Sequence, residues 1–138
     1  MARVFAHLRL HADFAFLDDT GADIPSVSEP DDLPLLGTGG PGPWWGPTIL
    51  INTAGGVVYR RTIWIMMQWM SAPGNMLTNP GLPELAIVNP GFSFAPSAVR
   101  LSGMSLRAVS FTATAPDGSN NLHIGDKKNG VVSRLPVV

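Results

Sequence analysis

Phe16-Leu17-Asp18-Asp19-Thr20-Gly21-Ala22-Asp23 is the stretch on which the reading of this chain turns. Phe14 to Leu17 is a short apolar run that reads as a buried strand. It delivers Asp19 into a sharp turn. Thr20 and Gly21 follow, and a glycine there admits close backbone approach because it has no Cβ. The Asp19 carboxylate is then held at the end of a rigid element with main-chain N–H groups nearby. On residue types alone, the segment also fits a structural Asx-type turn. A calcium site using Asp18, Asp19 and Asp23 is a further reading, although a hard cation asks for six or more oxygens and the spacing matches no known calcium loop.

Upstream, Val4 to Leu10 alternates as a strand, with Leu8 and Leu10 on one face and His7 and Arg9 on the other; His11-Ala12-Asp13 is read as the turn that follows. Downstream, Ser28-Glu29-Pro30-Asp31-Asp32 predicts one helical turn, with Ser28 as cap, Pro30 early, and its three carboxylates as a solvated helix start. Leu36 to Pro47 is a Gly/Pro loop carrying Trp44 and Trp45. Two β-rich runs then flank Ala54-Gly55-Gly56 and predict a hairpin over about 48–65, its second arm continuing to Trp69. Residues 71–97 hold five prolines and read as a loop-rich insertion, with Leu85 to Val88 as a strand within it. Met104 to Val109 predicts a short helix. About 109–138 reads as a meander: a hairpin of Ser110–Ala115 and Leu122–Ile124 around Pro116-Asp117-Gly118, a tight turn at Asn129-Gly130, and an extended end.

The 15 glycines and 13 prolines are scattered, which punctuates short strands and argues against long helices. The expectation is an all-β chain whose 138 residues form a single domain. At 45% hydrophobic it can fill a core. Charged residues are only 14% and the net charge is -1, so no basic face is available for nucleic acid. The absence of cysteine excludes disulfides and thiolate metal sites. The longest apolar run, Ile63 to Met67, is too short to cross a bilayer, and the N-terminus alternates where a signal peptide would run apolar. No membrane partner and an intracellular location are therefore expected. His7, His11 and His123 are spread along the chain and read as surface or satisfied imidazoles, so no metal site is expected. The Trp64-Met66-Met67-Trp69-Met70 cluster reads as core or interface.

Asp19-Thr20-Gly21-Ala22-Asp23, after an apolar strand and near the start of a small β-rich chain, resembles the active-site motif of the retropepsin family of aspartic proteases. Two more features fall in that family's order: a Gly-bearing hairpin at Gly55-Gly56, and the apolar–x–Gly segment Leu101-Ser102-Gly103 before a short helix. The chain departs from the family in carrying Asp18 at a usually aliphatic position, Ser102 for an apolar residue, and Met104 where an arginine often stands. The last departure leaves Arg100 or Arg107 to pair with Asp23. The resemblance implies an acid-protease fold with one lobe per chain, closed into an active unit by two-fold homodimerisation. It implies Asp19, Thr20 and Gly21 as catalytic residues, with Ala22, Asp23, Ala54, Gly55 and Gly56 binding a peptide or protein substrate beneath a hairpin flap. It implies no cofactor.

The chemistry explains the pairing. Peptide hydrolysis by this route holds a water between two carboxylates sharing one proton, because like charges that close cannot both ionise. One carboxylate takes a proton from water while its protonated neighbour polarises the carbonyl. The chain offers one such motif, so a second copy must supply the other Asp19. By resemblance, Thr20 locks the two loops across the axis. Two rivals remain open at this point: a catalytically silent dimerising or peptide-binding domain of the same fold, and a calcium-stabilised β-sandwich binding module.

Overall fold

The computed structural model describes residues 2–7, 10–16, 21–38, 42–53, 55–70, 75–79, 81–91, 100–114 and 122–125. These residues are mostly strand, with one five-residue helix, and the chain is all-β as expected. β1 (Ala2–His7), β2 (Leu10–Phe14), β3 (Ser26–Ser28), β6 (Thr62–Trp69) and β7 (Glu84–Asn89) form a five-stranded sheet in the order β2-β1-β6-β7-β3. β4 (Ile49–Thr53) and β5 (Gly56–Arg60) form a hairpin, α1 (Ser105–Val109) follows β7, and β8 (Phe111–Thr114) pairs with β9 (Leu122–Gly125).

Strand alternation builds the core. In β6, Ile63, Ile65, Met67 and Trp69 are buried while Trp64, Met66 and Gln68 take the other face. This divides the Trp/Met cluster: Met67, Trp69 and Met70 are core, and Trp64 is 42% exposed. Ala2 and Val4 of β1 and Ala86 and Val88 of β7 join the same core. β6 sits between β1 and β7 and runs antiparallel to both. The β3–β7 pair is parallel, with Ser26 opposite Ile87 and Ser28 opposite Asn89.

Several local expectations are corrected. The strand read at Phe14 to Leu17 is instead the end of β2, with Ala15 and Phe16 past it and Leu17 outside the described residues. His11-Ala12-Asp13 is not the turn: those residues lie within β2, opposite Phe5, Val4 and Arg3, and the reversal falls between His7 and Leu10. The cross-strand pair decides this register, since Arg3 donates to both carboxylate oxygens of Asp13 at 2.8 and 3.0 Å. The Arg3 guanidinium holds the Asp13 carboxyl below the usual carboxylate range. The flap-like hairpin also ends at Arg60, not at residue 65, because Thr62 onward leaves to join the main sheet.

The helical turn expected at Ser28–Asp32 is the first of several turns running from Glu29 to Gly37, with i→i+4 bonds from Asp32 N to Ser28 O and Leu36 N to Asp32 O, both 3.0 Å. The Ser28 hydroxyl donates to Asp31 at 2.9 Å and its amide to Asp32 at 2.7 Å, so the first turn is closed by a carboxylate accepting from the Ser28 amide. Leu33 and Leu36 pack into the core, and Gly37 ends the winding at φ 66°. Asp32 overturns the reading of these carboxylates as solvated: it is fully buried, bound by Arg100 through contacts of 2.6, 2.8 and 2.9 Å. The short helix and the pairing of β8 with β9 follow the sequence reading, while the turns read at Pro116-Asp117-Gly118 and Asn129-Gly130 and the extended end lie outside the described residues.

Candidate functional site

The segment Gly21–Pro25 leads directly into β3. Val27 of β3 is a core residue, so Ser26 takes the opposite face. By the same alternation in β7, Ile87 and Asn89 lie on the face away from Ala86 and Val88. These residues make the floor of a cleft of about 660 Å³. One wall is Gly21 to Ile24, and the other is β4, Ile49 to Thr53. The volume lies in the ordinary range for ligand sites, roughly 300–1,000 Å³.

The third part of the floor comes from far along the chain. Leu101 lies beside Ser26, its carbonyl accepting from the Ser26 amide and its own amide donating to the Ser26 hydroxyl, each at 3.0 Å. Ser102 is buried, and Gly103 then passes against the main chain of Ile24 and Pro25. Its φ is 58°, and a Cβ there would sit 2.5 Å from Ile24 C and Pro25 N. Glycine is needed twice over, for the left-handed backbone and for the contact. The Arg100–Asp32 pair fixes this crossing from below. Asp32 caps the turn after β3 and Arg100 immediately precedes Leu101, so their union holds both strands of the floor in register. The Arg100 guanidinium also covers the Phe14 ring at 4.9 Å.

The hairpin is tied at both ends. At its root, the Thr62 hydroxyl donates to Pro47 O at 2.6 Å and Gly46 N donates to Thr62 O at 2.9 Å. At its tip, the Thr53 hydroxyl donates to Gly56 O at 2.8 Å and accepts from Gly55 N at 3.2 Å. Gly56 sits at φ 112°, which suits glycine alone, while a Cβ at Gly55 would meet the Thr53 hydroxyl oxygen at an ordinary 3.8 Å. β4 pairs with β5 on one edge and, among the described residues, has no strand on the other. An edge strand bordering a cleft presents free main-chain donors and acceptors, suited to an extended polypeptide.

Of the residues singled out in the sequence, Gly21, Ala22 and Asp23 line the cleft. Gly55 and Gly56 stand past the lining stretch, at the end of the same hairpin. Asp18, Asp19, Thr20 and Ala54 lie outside the described residues. Asp23 is exposed and forms no ion pair among the described residues; Arg100, one of its two expected partners, is engaged by Asp32 instead. The lining residues missed by sequence reading are chiefly Ser26, Ile87 and Asn89, which no local motif marks, whereas Leu101 belongs to the Leu101-Ser102-Gly103 segment and Ile51 to the predicted hairpin. Outside the cleft, burial pushes the Glu84 carboxyl up to about 7. No family model, curated protein or solved structure matches the chain.

Proposed function

We propose that this chain is one half of a retropepsin-type aspartic endopeptidase, completed by a second copy. The observation that carries the reading is the position of the cleft. Its wall begins at Gly21, the residue directly after Asp19-Thr20, and faces a hairpin whose free edge can hold an extended chain. The passage of Leu101–Gly103 beside that wall, followed by α1, supports the same reading. In this mechanism the Asp19 carboxylates of two chains hold a water between them. One accepts its proton as the oxygen attacks the peptide carbonyl, and the other donates its proton to the carbonyl oxygen. Gly21, Ala22 and Asp23 contact the substrate main chain from one side and β4 from the other, so the scissile bond is positioned before attack.

The test is hydrolysis of unfolded casein and of a random peptide mixture across pH and across protein dilution. Activity is expected on the acid side of neutral, and the rate per chain is expected to fall on dilution because each chain brings one carboxylate. Asp19→Asn is expected to lower the rate roughly a hundredfold or more while leaving the melting temperature unchanged. Residual activity within tenfold of the parent chain would remove Asp19 from the mechanism. A rate per chain that stays constant while sedimentation shows monomer would remove the dimer.

A further inference from the structure

The cleft floor sets two polar side chains, Ser26 and Asn89, among the aliphatic Ile87 and Leu101, with Ile24 and Ile51 on the walls. Asn52 and Thr53, also on the lining, are exposed at the far end of the β4 wall. Asn89 ends β7 and shares the face of Ile87, because Ala86 and Val88 take the alternate positions in the core. Its main-chain carbonyl accepts from the Glu29 amide at 2.9 Å. Its half-buried side-chain carboxamide makes no hydrogen bond to any described residue. The Ser26 hydroxyl, on the neighbouring strand opposite Ile87, is engaged by the Leu101 amide, so the polar groups of the floor are not equivalent.

A carboxamide offers two donors and an acceptor. In the open cleft, water satisfies them. A side chain packed over Ile87 and Leu101 displaces that water, and an aliphatic group would then leave the carboxamide of Asn89 unsatisfied at a real cost. A carboxylate there meets the exposed Asp23 on the same cleft. An ammonium loses its hydration against aliphatic walls. A neutral amide returns both a donor and an acceptor without charge and keeps its methylenes on the aliphatic surface. We propose that Asn89 is a specificity-determining residue, selecting peptides that place a glutamine or asparagine side chain in the subsite it forms with Ile87 and Leu101.

The identity of the ligand as a peptide rests on the peptidase reading, and the experiment separates the two. The full chain carrying Asp19→Asn is titrated with aliphatic octapeptides in which each position in turn is Gln, Asn or Leu, while the Asn89 side-chain amide is followed by NMR. At one position, Gln or Asn is expected to bind about tenfold more tightly than Leu, the usual scale of one satisfied hydrogen bond. The Asn89 amide resonance is expected to move with it. Asn89→Leu is expected to invert the order at that position alone, and the smaller change Asn89→Ala to abolish the preference. An unchanged ranking in both variants, or Leu favoured by the parent cleft, overturns the subsite. The same peptides are scored for cleavage by the parent chain. Cleavage that Asp19→Asn abolishes but that shows no carboxamide preference overturns the subsite and leaves the peptidase standing. Carboxamide-selective binding without cleavage does the reverse. Failure of every peptide to bind overturns both.

Discussion

Gly103→Ala tests the crossing on which the cleft depends. At φ 58° an alanine pays for left-handed backbone, about 1–2 kcal/mol. Its Cβ would also lie 2.5 Å from the Ile24 carbonyl carbon and the Pro25 nitrogen. Those are main-chain atoms, which cannot swing aside as a side chain does, so the segments must part, at a further cost of about 1–3 kcal/mol. Together the loss is about 2–5 kcal/mol, a large share of the roughly 5–15 kcal/mol that holds a domain folded. In melting temperature that is a fall of about 10 °C. Gly55→Ala is the internal control, because its Cβ would meet only the Thr53 hydroxyl at 3.8 Å; its stability is expected to stay within about 0.5 kcal/mol of the parent. Urea denaturation of the three chains, with equal slopes verified, gives the differences directly. A Gly103→Ala loss below about 1 kcal/mol, or one equal to that of Gly55→Ala, would refute the crossing.

Arg100→Met strands a fully buried Asp32 with the Ser28 amide alone and is expected to cost about 3 kcal/mol in denaturant, whereas Asp32→Asn, which keeps an oxygen for that amide, is expected to cost less; a loss under about 1 kcal/mol for Arg100→Met would show that the pair does not hold the floor. The folded chain holds the Glu84 proton more tightly than the unfolded chain, up to about 7 against an ordinary 4.5. The associated stability is therefore full below 4.5 and is lost as pH rises through about 7. The full shift corresponds to about 3 kcal/mol, reduced to about 1–2 because Glu84 keeps partial contact with water. Glu84→Gln is expected to flatten that part of the stability profile, and parallel profiles for parent and variant would contradict it.

The elements that sequence reading captured carry their signal locally. β6 alternates apolar and outward residues over its length, the hairpin has a glycine pair between β-rich arms, and Leu85 to Val88 is β-branched and aliphatic within proline-rich surroundings. The parts it missed are fixed by distant partners. Ser26-Val27-Ser28 has no strand signature and becomes one by pairing with β7. Asp32 sits in an acidic run that looks like solvated surface, and only Arg100, 68 residues away, explains its burial. His11-Ala12-Asp13 looked like a turn because it is polar and small, yet Asp13 is the cross-strand partner of Arg3. The candidate site was half legible: Gly21, Ala22 and Asp23 were marked by their motif and Leu101 by the segment before the short helix, while Ser26 and Asn89 reach the cleft through tertiary pairing alone.

The cleft floor has a consequence for how the molecule assembles. The hairpin and the β1–β2 pair close short loops, the kind of contact that forms on a scale of about 1–10 μs. The floor must instead wait for Ser26 to meet both β7 and Leu101, the latter 75 positions away. Ordering so long an intervening chain carries an entropy cost before any contact repays it, which places the event among slow, non-local steps. On a ribosome delivering about 5–20 residues per second, the hairpin is complete several seconds before Leu101 emerges. The nascent chain therefore passes through an interval in which its roof exists and its binding groove does not.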